Sequence, residues 1–204
     1  ATAVPACDLL LVTHGHGDHF GDAPALAERF RPAWPAIHEL SLYLHRTLSA
    51  TAAAGVVGMN KGGTVGAAGF RVTMVPADHS AGEMGPDDDR PVYLGEPAGF
   101  VIELPSGRRI YHAGDTNVFG DMTLIRDLHR PDIALLPIGG HYTMDPVAAA
   151  LAVELLGVGE VLPIHWGTFP ALAGTPAALR AELATRGLGA VVAHDLEPGG
   201  SIPA

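Results

Sequence analysis

Cysteine is almost absent from this chain: among 204 residues there is one, Cys7. An internal disulfide and a cysteine-rich zinc site are both excluded, and a reducing cytoplasm is the expected compartment. Lysine is equally scarce, with Lys61 alone, and Lys plus Arg number 12 against 22 Asp plus Glu. A formal charge of −10 repels phosphate backbones, so nucleic acid is not an expected partner. There is no uninterrupted apolar run of about 18 residues, so no membrane-spanning helix is expected. No Gly-x-Ser-x-Gly and no strand-linked Gly-x-Gly-x-x-Gly occurs, which removes serine-type hydrolysis and dinucleotide binding from the leading readings. The chain opens on Ala1 with no signal-peptide pattern, and a cut start is expected.

What is present begins with a 48% apolar composition, enough to bury a full core in a single domain over residues 1–204, or two similar halves fused into one. Asp8–Thr13 reads as a buried strand. A helix follows from an Asp22 N-cap with Pro24 in its first turn, and a second helix is expected over Glu39–Ser49. Gly58-Met-Asn-Lys-Gly-Gly-Thr64 lacks the order of a phosphate loop, and a hairpin turn is expected there. Phe70–Val75 alternates as a strand, and Pro105-Ser-Gly107 joins Gly99–Leu104 to Arg108–His112 as a hairpin. Ala81–Ala98, carrying Asp87, Asp88 and Asp89, reads as a long functional loop. Strands at Asp132–Pro137, Glu160–Ile164 and Ala190–Ala193 alternate with helices at Pro146–Leu156 and Pro176–Thr185. The pattern specifies an α/β fold with sheets covered by helices.

Eleven histidines are many for this length, and some cluster. Thr13-His14-Gly15-His16-Gly17-Asp18-His19 places four ligand-type residues within six positions. Imidazole and carboxylate suit zinc, iron or manganese. In an extended segment, residues two apart share a side at about 6.6 Å, so His14, His16 and Asp18 can converge while His19 turns to a neighbouring site. Four residues cannot close two metal sites. His79, Asp115 and His165 each lie just past an expected strand end, where ligand sites of layered α/β folds gather. His112 is read either as a residue orienting a ligand or as a packed strand residue. His141, also past a strand end, is read as a substrate contact or proton donor, or as a loop-stabilising hydrogen bonder. Asp78 is a second acceptor or a turn residue. His38, His45, His129 and His194 have no ligand-rich neighbours and are read as surface or packing residues.

These residues resemble the metallo-β-lactamase superfamily, whose hallmark is His-x-His-x-Asp-His after a strand. The resemblance is closer still to metal-dependent hydrolases related to the L-ascorbate-6-phosphate lactonases, through Thr13–Asp22, Gly95–Phe100, Tyr111–Thr116, Leu135–Gly140 and Pro163–Phe169. It implies an αββα sandwich, here without the N-terminal strands that usually precede the histidine motif. It also implies that His14, His16 and His79 hold one metal, that Asp18, His19 and His165 hold the second, and that Asp115 bridges them.

The expected chemistry is metal-assisted hydrolysis by two divalent ions, zinc by default with manganese or iron as alternatives. The ions bring the pKa of a shared water toward roughly 7, and Asp18 or His141 handles protons. A formal site charge near +1 suits a small anionic substrate: a lactone or other ester first, a phosphoester second. No membrane partner is expected, and a homo-oligomer is left open. The competing reading is a metal-binding protein without turnover, serving as a sensor or an assembly subunit.

Overall fold

The computed structural model describes residues 3–84 and 90–202. The acidic triplet Asp87–Asp89 of the expected loop lies outside them. The chain forms two compact units: Ala1–Pro76 with Ser80–Ala98, and Ala77–His79 with Gly99–Ala204.

In the first unit the histidine motif enters a single helical turn, α1 (Gly17–Phe20), followed by α2 (Ala23–Phe30). Asp22 stands at the N-cap of α2 as expected, although its side chain makes no capping bond, and Pro24 sits in the first turn. Strand β1 (Trp34–Ile37), helix α3 (His38–Thr47), the short helix α4 (Ala50–Ala53) and strand β2 (Val56–Met59) form a unit in which β1 and β2 pair in parallel. Trp34, Ala36 and Ile37 are buried with Leu40 and Leu44 of α3, so the helix closes over the pair with its i, i+4 apolar face. Strands β3 (Thr64–Ala67) and β4 (Phe70–Pro76) form an antiparallel hairpin. Its turn, Ala68–Gly69, takes positive φ at both residues, 51° and 85°. That is the twist-matched turn of two-residue hairpins.

Two expectations are corrected here. Asp8–Thr13 is extended but not a ladder strand: it makes one parallel bridge, Leu9 to Ala33, with Leu10 N donating to Ala33 O at 3.0 Å and Ala33 N to Asp8 O at 2.9 Å. The hairpin expected around Gly58–Thr64 turns instead at Ala68–Gly69, because β2 is committed to β1. Gly62 and Gly63 do prolong the β3–β4 pairing, through bonds with Met74 of 2.8 and 3.0 Å. Within the expected 81–98 loop, β5 (Glu83–Met84) and β6 (Pro91–Val92) pair antiparallel.

The second unit is a mixed sheet with helical crossovers. Strands β7 (Ala98–Glu103) and β8 (Arg109–His112) form the expected hairpin, with Gly107 at φ 86°. Then follow α5 (Met122–His129), β9 (Ile133–Pro137), α6 (Pro146–Leu156), β10 (Glu160–Ile164), α7 (Pro176–Thr185) and β11 (Val192–Ala193). The strand order is β11-β10-β9-β8-β7, and every pair from β8 to β11 is parallel. Parallel neighbours need a crossover, which is why each helix sits between the strands it links. The core includes Tyr111, Ile133, Leu136, Ile138, Ala149 and Val161, all 2% exposed or less. No helix among the described residues is long and apolar enough to cross a membrane.

Helix α6 starts where its sequence dictates: Pro146 follows Asp145, whose carboxylate accepts from Ala148 N at 2.8 Å. Replacing Asp145 with Ala is expected to cost about 1 kcal/mol, lowering Tm by roughly 2–4 °C in thermal melts.

Candidate metal centre

The first unit contributes Thr13–His19. His14 is buried, 1% exposed. Its Nε2 lies 3.0 Å from His16 Nδ1, and the two rings meet edge-on with centroids 4.5 Å apart. The His19 ring is 4.2 Å from that of His14, and His19 Nε2 lies 3.5 Å from Asp18 Oδ2. His14 and His16 converge as expected, whereas Asp18 lies against His19 and the His19 ring faces His14 instead of turning away from it. Gly15 makes it possible in a specific way: a Cβ at this position would lie 2.7 Å from Leu94 Cδ1. Only a residue without a side chain lets the loop press against Leu94. Thr13 Oγ1 holds His14 Nδ1 at 3.1 Å, and Ser80 Oγ lies 3.4 Å from His16 Nε2.

The second unit contributes His79, Asp115 and His165. Asp115 is 3% exposed, and its Oδ2 lies 3.2 Å from His165 Nε2 and 3.7 Å from His79 Nε2. The turn after β8 delivers Asp115: Gly114 N donates to His112 Nδ1 at 3.0 Å. His112 thus shapes the Asp115 turn through its ring nitrogen. The segment carrying His79 is tied to the same turn, since Asp78 N donates to Thr116 Oγ1 at 2.9 Å and Asn117 N to Asp78 O at 2.9 Å. Asp78 is a turn residue whose carboxylate meets the Asn117 amide at 3.5 Å. His165 follows β10 with φ 53°, a left-handed conformation costly for a residue with a side chain. Gly139 accommodates it: a Cβ there would lie 2.3 Å from the His165 carbonyl oxygen.

Two donor atoms, each about 2.1 Å from a zinc ion at a tetrahedral angle, lie roughly 3.4 Å apart. The pairs at 3.0, 3.5, 3.2 and 3.7 Å bracket that separation. Donor type and these pairwise spacings suit divalent metal ions, and these histidines and aspartates could hold metal.

The other histidines separate as follows. His141 is exposed, with φ 55°, and its ring packs edge-on against exposed Tyr142 at 4.4 Å. Its loop is fixed to the Asp115 turn, because Met144 N donates to Thr116 O at 3.3 Å. His194 Nε2 pairs with Glu160 Oε2 at 2.9 Å, and the His129 carbonyl accepts from Arg109. His38 opens α3 and His45 lies in its last turn. Cys7 offers no nucleophile: burial, then the neighbouring Asp8 carboxylate, push its thiol up, keeping it protonated.

Sequence reasoning missed Thr13, Ser80 and Thr116, hydroxyl residues lying beside the candidate ligands. Thr13 orients the His14 ring from behind. Thr13→Val is expected to weaken metal binding by about 10- to 100-fold in competition titrations, with the fold intact by circular dichroism.

A beta-lactamase superfamily domain matches residues 1–166. The chain belongs to that superfamily. A UPF0173 metal-dependent hydrolase of Koribacter versatilis is 43% identical over 196 residues, covering 96% of this chain and 79% of its own length. Among solved structures, Igni18, a metallo hydrolase from the hyperthermophilic archaeon Ignicoccus hospitalis, superposes with TM-score 0.79 at 35% identity, over 96% of this chain and 78% of that one. A metallo-beta-lactamase fold protein from Bacillus subtilis, 15% identical, superposes with TM-score 0.65 over 92% of this chain and 73% of its own, a likeness of fold alone. The fold is thus α/β of the metallo-β-lactamase class, as expected from the motif order.

Proposed function

We propose that residues 1–204 form one metal-dependent hydrolase domain in which the two clusters close a dinuclear centre. His14, His16 and His79 would hold one ion, Asp18, His19 and His165 would hold the other, and Asp115 would serve both. The observation that carries this reading is Ser80. It directly follows His79, yet its hydroxyl lies 3.4 Å from His16, linking the two clusters along the chain. The relatives named metal-dependent hydrolases span both units at 43% identity, which also supports it.

When bound, such ions lower the pKa of a water to roughly 7 and polarise the oxygen under attack. The protein's own residues position and exchange protons around that chemistry. Thr13 fixes the His14 ring, and the Thr116 hydroxyl holds the turn presenting His79. In this reading Asp18, more than half exposed, would accept a proton from water, and His141, on the loop pinned to Thr116, would deliver one to the leaving oxygen. The substrate is a small ester or lactone, with phosphoesters second, and zinc is the default ion over manganese or iron. The cytoplasm is the proposed compartment, on the strength of the single free cysteine.

His141→Ala is expected to retain full metal content while kcat falls by about 10²-fold or more on ester substrates. Full metal content with unchanged kcat would remove His141 from the mechanism. The reading as a whole is tested by metal analysis combined with a panel of lactones, esters and phosphodiesters. Chelator-sensitive turnover restored by zinc is expected. Stoichiometric metal with no turnover on any member would instead favour a binding protein acting as sensor or assembly subunit.

A further inference from the structure

Beside His165 lies a cavity of about 570 Å³, walled on one side by the end of β10 and the His165–Thr168 turn, and on the other by Leu196–Gly200 near the C-terminus. Small-molecule pockets occupy roughly 300–1,000 Å³. The cavity shares His165 with the Asp115 cluster, 3.2 Å from the carboxylate. A group seated in it would therefore be attached close to the reacting centre.

The lining identifies the group. Trp166 donates its indole N–H to Pro163 O at 3.3 Å, so that donor is already used and the ring supplies an apolar face. Leu162, Ile164, Leu196 and Pro198 add aliphatic surface, and no lysine or arginine is among the lining residues. Glu197 brings the only formal charge on an acidic side chain there. An anionic end group would find no counter-charge and would face a carboxylate of like sign.

We propose that this cavity is the subsite for an uncharged apolar acyl chain, and that Leu196–Gly200 sets chain-length specificity. The substrate class is then an ester or lactone with a medium-length aliphatic acyl group, in preference to a sugar-phosphate lactone. This rests on the hydrolase reading above but is tested separately from it.

The chain holds two tryptophans, and Trp34 is 1% exposed in the first unit's core. Trp166, half-buried at the cavity, therefore reports occupancy by fluorescence. Metal-loaded protein titrated with octanamide, an uncharged eight-carbon probe, is expected to show a saturable change that Trp166→Phe abolishes. Leu196→Phe, which puts a bulkier ring into the cavity wall, is expected to weaken octanamide binding about tenfold. Glu197→Gln, on an exposed side chain, is expected to leave octanamide binding intact while improving binding of octanedioate, whose far end is anionic. On 4-nitrophenyl esters, Leu196→Phe should lower the ratio of kcat/KM for octanoate over acetate. If octanamide binds as described but no ester, lactone or phosphodiester is turned over, the subsite stands and the hydrolase reading falls. No saturable change with octanamide, or octanedioate binding the parent protein as tightly as octanamide, would overturn the subsite.

Discussion

Asp115→Ala is expected to lower kcat/KM by at least about 10³-fold on any ester the protein hydrolyses, and to reduce bound metal below two ions per chain. The size follows from its position. Asp115 is almost fully buried, and a single carboxylate oxygen meets both His79 and His165. On the proposed assignment, removing it would withdraw the negative charge shared by two cation sites and leave two imidazoles without their common acceptor. Losing one such electrostatic group typically costs about 10²–10³-fold in rate, and here the metals are affected as well. Asp115→Asn keeps the shape but not the charge. It should retain the fold, with Tm within a few degrees of the parent, while losing most of the activity. Inductively coupled plasma analysis and steady-state kinetics on the same preparation check both parts. Full metal content and near-parental kcat/KM in Asp115→Ala would refute the bridging role.

Gly174→Ala is expected to be the most destabilising single-methyl change in the second unit. A Cβ at residue 174 would lie 1.7 Å from the backbone oxygen of Ile138 and 3.2 Å from the Pro146 ring. The first obstacle is backbone and cannot rotate away, so the chain must separate. Gly174 N also donates to Gly139 O at 3.2 Å, a bond that such a shift would strain. Overpacking of this kind costs roughly 3 kcal/mol, which lowers Tm by about 6–12 °C for a chain of this size. Activity should fall with stability, since Gly139 packs against the His165 carbonyl. A melting temperature unchanged within 2 °C or so would show that the Ile138–Gly174 approach is looser than described.

Much of this was readable because the informative residues announce themselves. Four ligand-type residues in six positions, with glycines between them, point to metal chemistry before any fold is known. His79, Asp115 and His165 could be added because each follows a segment readable as a strand, by alternation before His79, by the Pro105–Gly107 hairpin before Asp115 and by an apolar run before His165. Helices α6 and α7 carry their own punctuation, Asp145-Pro146 and Thr175-Pro176, and both begin where it predicts. Elsewhere the local signal misled. Strand β1 contains Pro35, which argues against a strand, yet among the described strands β1 pairs with β2 alone, and an edge position tolerates proline. Asp8–Thr13 has a strand's composition but finds one bridge, because composition does not supply a neighbour. Helix α5 was missed because it is only eight residues long and has no proline in its first turn, even though Asp121 stands at its N-cap and Met122 and Ile125 turn one face inward at helical spacing. Thr13, Ser80 and Thr116 could not be singled out by type, since hydroxyl residues are common everywhere. Only their contacts with His14, His16 and the Asp78–His79 backbone give them meaning.

The proposed dinuclear centre is tested most directly by anomalous diffraction from zinc-loaded crystals, recorded on both sides of the zinc edge. Two peaks are expected. One should lie within about 2.3 Å of nitrogen atoms of His14, His16 and His79, the other within about 2.3 Å of donor atoms of Asp18, His19 and His165, with Asp115 reaching both. Zinc bound to either cluster without donors from the other, or no ordered zinc at these residues, would contradict it.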